Sequence, residues 1–442
     1  MTDKIFSLIE QEEQRQREMI GLIPSENHAS PAVRRAAAST LSSKYSEGYP
    51  HRRYYEGNQI IDEIELEAIN RLKKLFKVPH VNVQPYSGSP ANSAIYFALM
   101  EPGETLMGLK LASGGHLTHG HPKVTFSGRF YNSVQYGLND KARIDFEQVE
   151  KLALKHRPKV IVAGNTAYPF ELNFKKFSEI ADKVGAYLVA DISHVTGLVI
   201  SGDHLSPFPY ANVVMSTTHK TFRGPRGAMI IVTNRGVAKD KDLPGKIDKA
   251  VFPGLQGGPH NETIAGIAIA AQEASSEQFQ EYGHQIRKNT DALVVILKER
   301  GLKLVGDDSE THLMLLDLTE IGFGLGTQLA FALDVAGIYA NKNTIPDESC
   351  SPFYPSGLRI GTPLVTTRGM KAVEMRKIGN WIADVVEIVA QEELPQDKKL
   401  RHQFIKNFKQ RYASNKALLE IRVEVKKFAQ DYKLFADEWQ LA

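Results

Sequence analysis

Apolar residues recur along this chain with helical spacing at its start. Residues 3–20 predict an amphipathic helix, and residues 58–77 predict a second helix. The apolar positions expected on one face of the first helix are Ile5, Leu8, Ile9 and Ile20.

The pattern then changes to short strand-like runs. These runs are 81–83, 105–109, 160–163, 187–190, 213–216 and 228–233. Helical stretches, among them 89–100 and 174–183, lie between several of these runs. Strand–helix alternation predicts βαβ units and a mostly parallel sheet with helices on both faces. We therefore predict a large α/β domain over residues 59–262.

Three further parts complete the predicted organisation. Residues 1–58 are expected to form an N-terminal arm with helices, and residues 263–301 a connecting helical segment. Residues 302–442 mix strand and helix patterns, with a strand at 313–318 and a helix at 326–336, and they predict a smaller α+β domain.

Residues 397–416 form a basic helical extension of this domain, with seven Lys or Arg and one acid. Apolar side chains recur there every four residues, at Leu400, Phe404, Phe408 and Tyr412. A helix that packs its apolar stripe and solvates its basic face is the main interpretation. A patch that binds RNA or another polyanion is the alternative.

Composition narrows the class of protein. The 442 residues are 42% hydrophobic and 24% charged, which is typical of globular proteins. The net charge of +3 is too small to indicate a nucleic-acid partner. There is no apolar run of the ~18 residues that a membrane span needs, and the charged start does not resemble a signal peptide. A single cysteine, Cys350, excludes an internal disulfide. We expect a cytoplasmic protein with no membrane partner.

Two polar blocks at predicted strand ends carry the strongest chemical indication. They are Asp191-Ile-Ser-His194 and Ser216-Thr-Thr-His-Lys220. A buried lysine among hydroxyls can form an imine with an aldehyde cofactor. An aspartate on the adjacent strand can keep a pyridine nitrogen protonated, as pyridoxal phosphate requires. In isolation an ordinary polar pair is the better interpretation of these two residues, and the surrounding motifs reverse that preference.

Those motifs are rich in small residues and histidine. Tyr86-Ser-Gly-Ser-Pro-Ala-Asn92 stands between a strand and a helix, where backbone N–H groups can cradle a phosphate. Gly257 and Gly258 belong to a second glycine-rich turn that can offer N–H groups to an anion. His116 and His119 allow a metal site, but no third ligand is evident. A ring lying on a cofactor, or a structural histidine, are the other interpretations of His116.

Residues 214–229, VMSTTHKTFRGPRGAM, resemble the cofactor-lysine motif of the serine hydroxymethyltransferase family. Further blocks resemble that family in its order: Ile23–Asn27, Lys44–Pro50, Arg53–Tyr55, Gly114–Gly120 and Gly357–Pro363. The likeness covers roughly residues 15–390. It implies a fold-type I transferase that depends on pyridoxal 5'-phosphate. Such an enzyme has a large mostly parallel-sheet domain, an N-terminal helical arm and a smaller C-terminal α+β domain.

The resemblance also implies the reaction. It is the reversible transfer of the hydroxymethyl group of L-serine to tetrahydrofolate, giving glycine and methylenetetrahydrofolate. The expected assembly is a homodimer with shared active sites, and further pairing into a tetramer stays open.

Roles follow from the resemblance residue by residue. Lys220 would be the Schiff-base lysine, Asp191 would pair with the pyridine nitrogen, and His194 with the phenolic oxygen. His116 would stack on the ring. The phosphate contacts would come from Ser87, Gly88, Ser89 and His219, and across a dimer from Gly258. Tyr45 and Thr166, which stands where the family pattern has Ser, would complete the cofactor contacts. The implied catalytic set is Lys220, Glu47, His219, Asp191, His194 and His116.

The substrate residues are implied in the same way. Arg359 would clamp the substrate carboxylate, which suits a bidentate guanidinium better than an ammonium. Glu47, among several tyrosines, would transfer a proton near the serine hydroxyl. A surface ion pair and a surface acid are the alternative interpretations of these two residues. Ser25, Tyr45, Tyr55 and His194 would line the substrate site. Leu111, Gly115, Leu117 and Asn343 would lie near the pterin.

This sequence departs from the family pattern at four positions. The family pattern has Ala where this chain has Pro24, His where it has Tyr86, Gln or a similar residue where it has Pro90, and His where it has Ser113. These changes bear on substrate preference and leave Lys220, Asp191, Glu47 and Arg359 in place. A folate-independent aldolase acting on β-hydroxy amino acids, like a threonine aldolase, is the first alternative, since it also needs the cofactor and Arg359 but needs no pterin pocket. An aminotransferase has no use for the Glu47 block. A non-catalytic RNA-binding protein that uses residues 397–416 is the remote alternative.

Overall fold

The computed structural model describes residues 3–434, and its internal contacts divide the chain into two compact units. Within the described residues, the large unit comprises 29–284, and the second unit comprises 3–28 and 285–434. The α-helices are α1 (Lys4–Glu18), α2 (Pro31–Ala37), α3 (Gln59–Phe76), α4 (Gly88–Leu99), α5 (Phe126–Phe130), α6 (Phe146–His156), α7 (Phe174–Val184), α8 (Thr196–Ser201), α9 (Asn234–Lys239), α10 (Leu243–Lys249), α11 (Asn261–Ala274), α12 (Glu277–Glu299), α13 (Gly326–Val335), α14 (Pro363–Thr367), α15 (Ala372–Val389), α16 (Arg401–Tyr412) and α17 (Lys416–Ala429). The strands are β1 (Ile20–Gly21), β2 (Gly48–Tyr49), β3 (Arg52–Arg53), β4 (His80–Asn82), β5 (Thr105–Leu109), β6 (Asn132–Tyr136), β7 (Val160–Gly164), β8 (Tyr187–Asp191), β9 (Val213–Thr217), β10 (Ala228–Val232), β11 (Lys303–Leu304), β12 (Leu313–Asp317), β13 (Ile338–Tyr339), β14 (Asn341–Asn343) and β15 (Gly357–Gly361).

The large unit is built on a seven-stranded sheet in the order β4-β10-β9-β8-β7-β5-β6. Strands β5 to β9 pair in parallel, and β10 runs antiparallel to both of its neighbours. Every residue of β7 and β9 is buried, as expected for strands covered on both faces. The predicted mostly parallel sheet is confirmed. Parallel strands also bring the carboxyl ends of β7, β8 and β9 to one edge, where ligands bind in such sheets.

Strand β6 was not predicted. It contains Asn132, Ser133 and Gln135, so the apolar run that identifies a buried strand is missing. It lies at the edge of the sheet and pairs only with β5 among the described strands. An edge position tolerates this polar composition.

The second unit holds a four-stranded antiparallel sheet in the order β11-β12-β15-β14. Strand β1 pairs in parallel with β13 and aligns Ile20 with Ile338. Ile20 is fully buried in that pairing, whereas Ile5, Leu8 and Ile9 on α1 remain exposed. The helix itself is confirmed, but the prediction that Ile20 shares its face is wrong, because the chain leaves the helix at Met19 with extended backbone angles.

The two units do not follow the predicted domain boundaries. The chain divides inside the predicted N-terminal arm, after residue 28, and inside the predicted connecting segment, after residue 284. Residues 3–28 group with the second unit because β1 pairs with β13, and 29–58 group with the large unit, where α2 packs on α11. The predicted segment 263–301 is split within α12. Helical periodicity shows that a segment buries one face, but it does not show which element covers that face.

The basic extension folds as α16 and is followed by a second helix, α17, which was not predicted. Phe408 is fully buried, and Tyr412 stacks on it with ring centroids 4.3 Å apart. Leu400 precedes the helix and is 57% exposed. This packing supports the amphipathic interpretation of the extension. Across residues 3–434, no helix has both the length and the apolar character that a membrane crossing requires.

Candidate functional site

A cavity of about 190 Å³ lies at the carboxyl ends of β7, β8 and β9. Its lining residues are Ser87, Gly88, Ser89, Asn92, His116, Asn165, Thr166, Asp191, Ser193, His194, Met215, Thr217, His219 and Lys220. They come from separate parts of the large unit, which the sheet brings together at one edge. Each residue predicted to hold the cofactor lines this cavity, apart from Tyr45 and Gly258.

Asp191 ends β8 and is almost completely buried. Its Oδ2 accepts hydrogen bonds from His119 Nε2 at 2.9 Å and from Asn92 Nδ2 at 3.1 Å, and its Oδ1 accepts the Ser193 N–H at 3.1 Å. Burial alone would raise the pKa of this carboxyl, but the hydrogen bond and charge of His119 outweigh it and hold the pKa well below its usual range. Asp191 is therefore an anion suited to a ring N–H.

Lys220 lies in the tight loop that follows β9. Its Nζ donates to Thr217 Oγ1 at 2.9 Å. The loop is closed by backbone bonds from Arg223 N to Lys220 O and from Gly224 N to Thr218 O. These bonds fix the segment that carries the amine, which gives the lysine a defined direction at the cavity edge.

The N-terminus of α4 meets the same cavity. Ser87 precedes the helix with extended backbone angles, so the first N–H groups of α4 have no helical partner. A Cβ at Gly88 would approach Thr217 Cγ2 to 2.7 Å, so a larger residue would displace that wall. Pro90 is the third residue of α4. It removes an N–H from this first turn without breaking a helical bond.

His219 and His116 are neutral rings on the cavity wall. Burial, followed by the charges of Lys220 and Arg226, lowers the pKa of His219 to about 3. Its Nδ1 is buried without a hydrogen-bond partner within residues 3–434, and a phosphate oxygen would satisfy it. Burial, followed by the charge of His119, lowers the pKa of His116 to about 4. These groups fit a phosphorylated pyridine cofactor.

His119 binds Asp191, whereas the sequence had allowed a metal site formed by His119 and His116. It is fully buried and bonds to Asp191, so it does not pair with His116 around a metal. Nowhere in residues 3–434 do three or more His, Cys, Asp or Glu side chains form a group that could hold a metal ion.

Tyr45, Glu47, Tyr55 and Gly258 form a second group in the large unit. The rings of Tyr45 and Tyr55 meet edge to face, with centroids 5.1 Å apart. A Cβ at Gly258 would lie 3.6 Å from Tyr45 Cε1, and one at Gly257 would lie 3.2 Å from Glu47 Oε1. Of the residues described, none of this group lines the cavity.

Tyr86, one of the departures from the family pattern, supports the same glycine turn. Its hydroxyl donates to Gly258 O at 2.8 Å, and its ring stacks on His260 with centroids 4.3 Å apart. The Tyr86 N–H donates to Gln256 Oε1 at 3.1 Å. The tyrosine therefore fixes the turn from a position directly before Ser87 and α4.

The second unit contains the predicted residues Ser25, Arg359 and Asn343. Arg359 lies in β15, is 7% exposed, and donates from Nε to Asn341 Oδ1 at 3.0 Å. Burial lowers its pKa to about 10, so it remains a cation at neutral pH. Asn343 ends β14, and Ser25 follows β1.

The remaining predicted folate residues lie in the large unit. Leu111, Gly115 and Leu117 belong to the segment after β5, where the Gly115 N–H donates to Lys110 O. Leu117 is 37% exposed.

Sequence reasoning missed Asn92, Asn165, Ser193, Met215 and Thr217 in the cavity wall. Asn92 was detectable in principle, because it stands four residues after Gly88 and therefore on the same face of α4. It donates to Thr118 Oγ1 at 2.8 Å as well as to Asp191. Thr118 Oγ1 also lies 2.7 Å from His116 Nδ1, so Asn92 connects two wall residues.

A sheet edge that combines a lysine, an ionised aspartate and a helix N-terminus is typical of fold-type I pyridoxal-phosphate enzymes, and that is the class of this protein. The family model "Serine hydroxymethyltransferase" matches residues 1–382. The serine hydroxymethyltransferase of Acidothermus cellulolyticus is 54% identical over 387 residues, which are 87% of this chain and 88% of that protein. The one from Sorangium cellulosum is 53% identical over 390 residues, 88% of this chain and 90% of that protein. The one from Desulfotalea psychrophila is 52% identical over 383 residues, 87% and 88% of the two chains. The chain belongs to the serine hydroxymethyltransferase family.

Membership in this family confirms the predicted reaction, the reversible transfer of a one-carbon unit between serine and tetrahydrofolate. The enzyme depends on pyridoxal phosphate and uses tetrahydrofolate as co-substrate. Its small-molecule partners are serine, glycine and a folate.

Proposed function

We propose that the 190 Å³ cavity is the pyridoxal-phosphate site of this serine hydroxymethyltransferase and that Lys220 binds the cofactor covalently. One observation supports the proposal above all. An ionised Asp191, the amine of Lys220 and the N-terminus of α4 face a single cavity at one sheet edge.

Pyridoxal phosphate in this cavity supplies an electron sink for the bond that breaks at the amino acid Cα. Asp191 would hold a proton on the ring nitrogen, and His194 would hydrogen bond to the phenolic oxygen. His116, neutral at physiological pH, would lie against the ring. The residues assigned to the phosphate are Ser87, Gly88, Ser89 and His219, and Thr166 belongs to the same wall.

The substrate assignments rest on the chemical character of the side chains: a cation is assigned to the carboxylate and an acid to the hydroxyl proton. Arg359, a buried cation, would bind the serine carboxylate through two parallel N–H groups. Glu47 would take and return the proton of the serine hydroxyl. Further substrate contacts are assigned to Ser25, Tyr45, Tyr55 and His194, and pterin contacts to Leu111, Gly115, Leu117 and Asn343.

We also assign the second group of residues to a neighbouring copy of the chain. Tyr45 and Tyr55 are 58% and 48% exposed, and with Glu47 and Gly258 they lie outside the cavity wall. A two-fold axis would carry this group to the cavity of the partner and build two equal sites from one interface. The proposed assembly is therefore a homodimer with shared sites.

Turnover of serine with and without tetrahydrofolate tests the folate-dependent assignment. Wild-type enzyme should release glycine rapidly only when tetrahydrofolate is present. Glu47→Gln should reduce this rate by about 10²–10⁴-fold while the protein keeps its cofactor, because general acid–base groups contribute on that scale. Equal serine cleavage without the pterin would favour the folate-independent aldolase instead.

We place the enzyme in the cytoplasm. Cys350 is the one cysteine of the chain, so the fold needs no oxidising compartment for a disulfide. Cell fractionation with a tagged chain tests this assignment, and recovery in an exported fraction would contradict it.

A further inference from the structure

Arg53 holds the backbone on both sides of Glu47. Its Nη1 donates to Ser46 O and to Gly48 O, each at 2.9 Å. The side chain of Arg53 is only 4% exposed, so water does not compete for these bonds. One guanidinium nitrogen therefore binds the carbonyl oxygens of the residues directly before and directly after Glu47.

The guanidinium is itself fixed to helix α3. Arg53 Nε lies 2.8 Å from Asp62 Oδ1, and Nη2 lies 2.7 Å from Glu65 Oε2. The carboxylates are buried, with side chains 9% and 1% exposed. Asp62 also accepts the His51 N–H at 2.8 Å. A long helix of the large unit thus serves as the rigid support for the Glu47 segment.

A second side chain completes the same support. Gln84 Nε2 donates to Gly48 O at 3.0 Å and to Glu65 Oε1 at 2.8 Å. Removing one cation and two carboxylates from water costs free energy. Such a buried cluster is weak evidence for stability, because apolar residues of similar volume often stabilise the fold equally well. Stability alone therefore does not explain the buried cluster, whereas precise placement of the loop that carries Glu47 does.

We propose that Arg53 is a positioning residue for Glu47. The inference rests on the proposed function, in which Glu47 transfers the proton of the serine hydroxyl. Misplacement of a reacting group by about 1 Å can reduce a rate by ~10²-fold, so the loss of this fork should reach the chemistry through Glu47. A lysine keeps the charge at this position but cannot reach both carbonyls and both carboxylates together.

A double-mutant cycle on the holoenzyme tests the inference. The variants are Arg53→Lys, Glu47→Gln and the pair, with kcat measured on serine and tetrahydrofolate. Arg53→Lys should lower kcat by about 10–100-fold, because it displaces Glu47 without removing it. Added to Glu47→Gln, it should change kcat by less than about threefold, since the group it positions is already gone. Pyridoxal-phosphate content should stay within about twofold of wild type throughout.

The matched control is Arg52→Lys. Arg52 is the neighbouring residue of strand β3 and is exposed, so this change should leave kcat within about twofold. Where Arg53→Lys does not yield folded enzyme, Asp62→Asn takes its place in the cycle. It preserves the shape of the ion-pair partner and removes its charge, and the expected loss in kcat is about 3–30-fold.

The outcomes separate the inference from the function beneath it. If the losses from Arg53→Lys and Glu47→Gln multiply in the pair, Arg53 acts independently of Glu47 and the inference is overturned. Parallel loss of cofactor and activity in Arg53→Lys also overturns it, because the defect is then structural. If Glu47→Gln alone keeps full activity, the assigned role of Glu47 and the inference are both overturned.

Discussion

At the scale of single residues, the chemistry of this enzyme depends on how buried groups are paired. Asp191 carries its charge at neutral pH because the hydrogen bond and charge of His119 outweigh the effect of its burial on the pKa. Arg359 remains a cation despite its burial. In the proposed function, Asp191 would bind the ring nitrogen of the cofactor and Arg359 the carboxylate of the substrate.

Lys220→Ala should abolish covalent attachment of the cofactor. Lys220 lines the cavity on the hydrogen-bonded loop after β9, and its amine is the proposed site of the imine. Borohydride reduction followed by mass spectrometry should find pyridoxal phosphate on wild-type peptide 213–226 and none on the variant. Normal labelling of the Lys220→Ala chain would show that another residue binds the cofactor.

Arg359→Lys should weaken serine binding by roughly 1.5–3 kcal/mol, about 10–100-fold in Kd, because it keeps the charge and loses the fork. A serine titration of the holoenzyme measures this change, and cofactor content should not fall. Arg376→Lys, at an exposed ion pair with Glu299 in the same unit, is the control and should leave serine binding unchanged. An unaltered Kd in Arg359→Lys would remove this residue from the substrate site.

The cofactor-free protein should lose stability as the pH falls below about 6.5. The pKa values of His116 and His219 are lowered from 6.5 to about 4 and about 3, so the unfolded chain binds protons that the folded chain does not. The stability that this difference supplies at pH 7 is then lost progressively as the pH falls from about 6.5 toward 4. Thermal unfolding at pH 7, 6 and 5 measures the effect, and His219→Asn should reduce the slope. A midpoint that rises on acidification would contradict these lowered pKa values.

At the scale of elements, the C-terminal helices belong to the core of the second unit, although the family match ends at residue 382. Leu418, Val425 and Ala429 of α17 are fully buried. Arg368 donates to Gln16 O and Met19 O near the end of α1 and to Ala429 O at the end of α17. One cation therefore neutralises the carboxyl ends of two helices from opposite ends of the chain.

Leu418→Ala should destabilise the second unit by about 2–5 kcal/mol, the range for truncating a fully buried leucine. Leu419→Ala, one residue further on and 40% exposed, is the matched control and should change stability by less than about 0.5 kcal/mol. Denaturant unfolding followed by tryptophan fluorescence measures the change, and Trp381, whose Nε1 donates to Glu424 of α17, contributes a signal from this region. Equal effects of the two changes would mean that α17 is not part of the core.

At the scale of the whole molecule, the proposed shared sites can be tested by mixing two inactive chains. Co-expressed Lys220→Ala and Glu47→Gln should form mixed dimers with one doubly defective site and one wild-type site. Purified mixed dimers should regain about half of wild-type activity, because two-fold symmetry exchanges the contributing residues. The control pairs Lys220→Ala with Asp191→Ala, two changes in one cavity, which should leave each site defective. Inactive mixed dimers in the first experiment, or an active monomer by light scattering, would contradict shared sites.

The sequence alone determined the strand–helix alternation of the large unit and the residues at its strand ends. Continuous apolar runs such as 160–163 and 213–215 predict buried strands, because a sheet covered on both faces buries every side chain of its inner strands. Asp191 directly follows the run 187–190, and Lys220 comes after the run that forms β9, so the two were expected to meet at the carboxyl edge of a parallel sheet. The family motifs added the roles of these residues.

Only the tertiary structure decided how elements distant in sequence pair. Ile20 left its expected helix for a strand beside Ile338, and α17 joined the core, because the stability of each depends on a partner from elsewhere in the chain. The hydrogen bond that helps to keep Asp191 ionised also joins residues distant in sequence. The same is true of the buried contacts that connect Arg53, and with it the backbone beside Glu47, to α3. Local periodicity records which face of a segment is buried, whereas the energy of these pairings comes from atoms that meet only after folding.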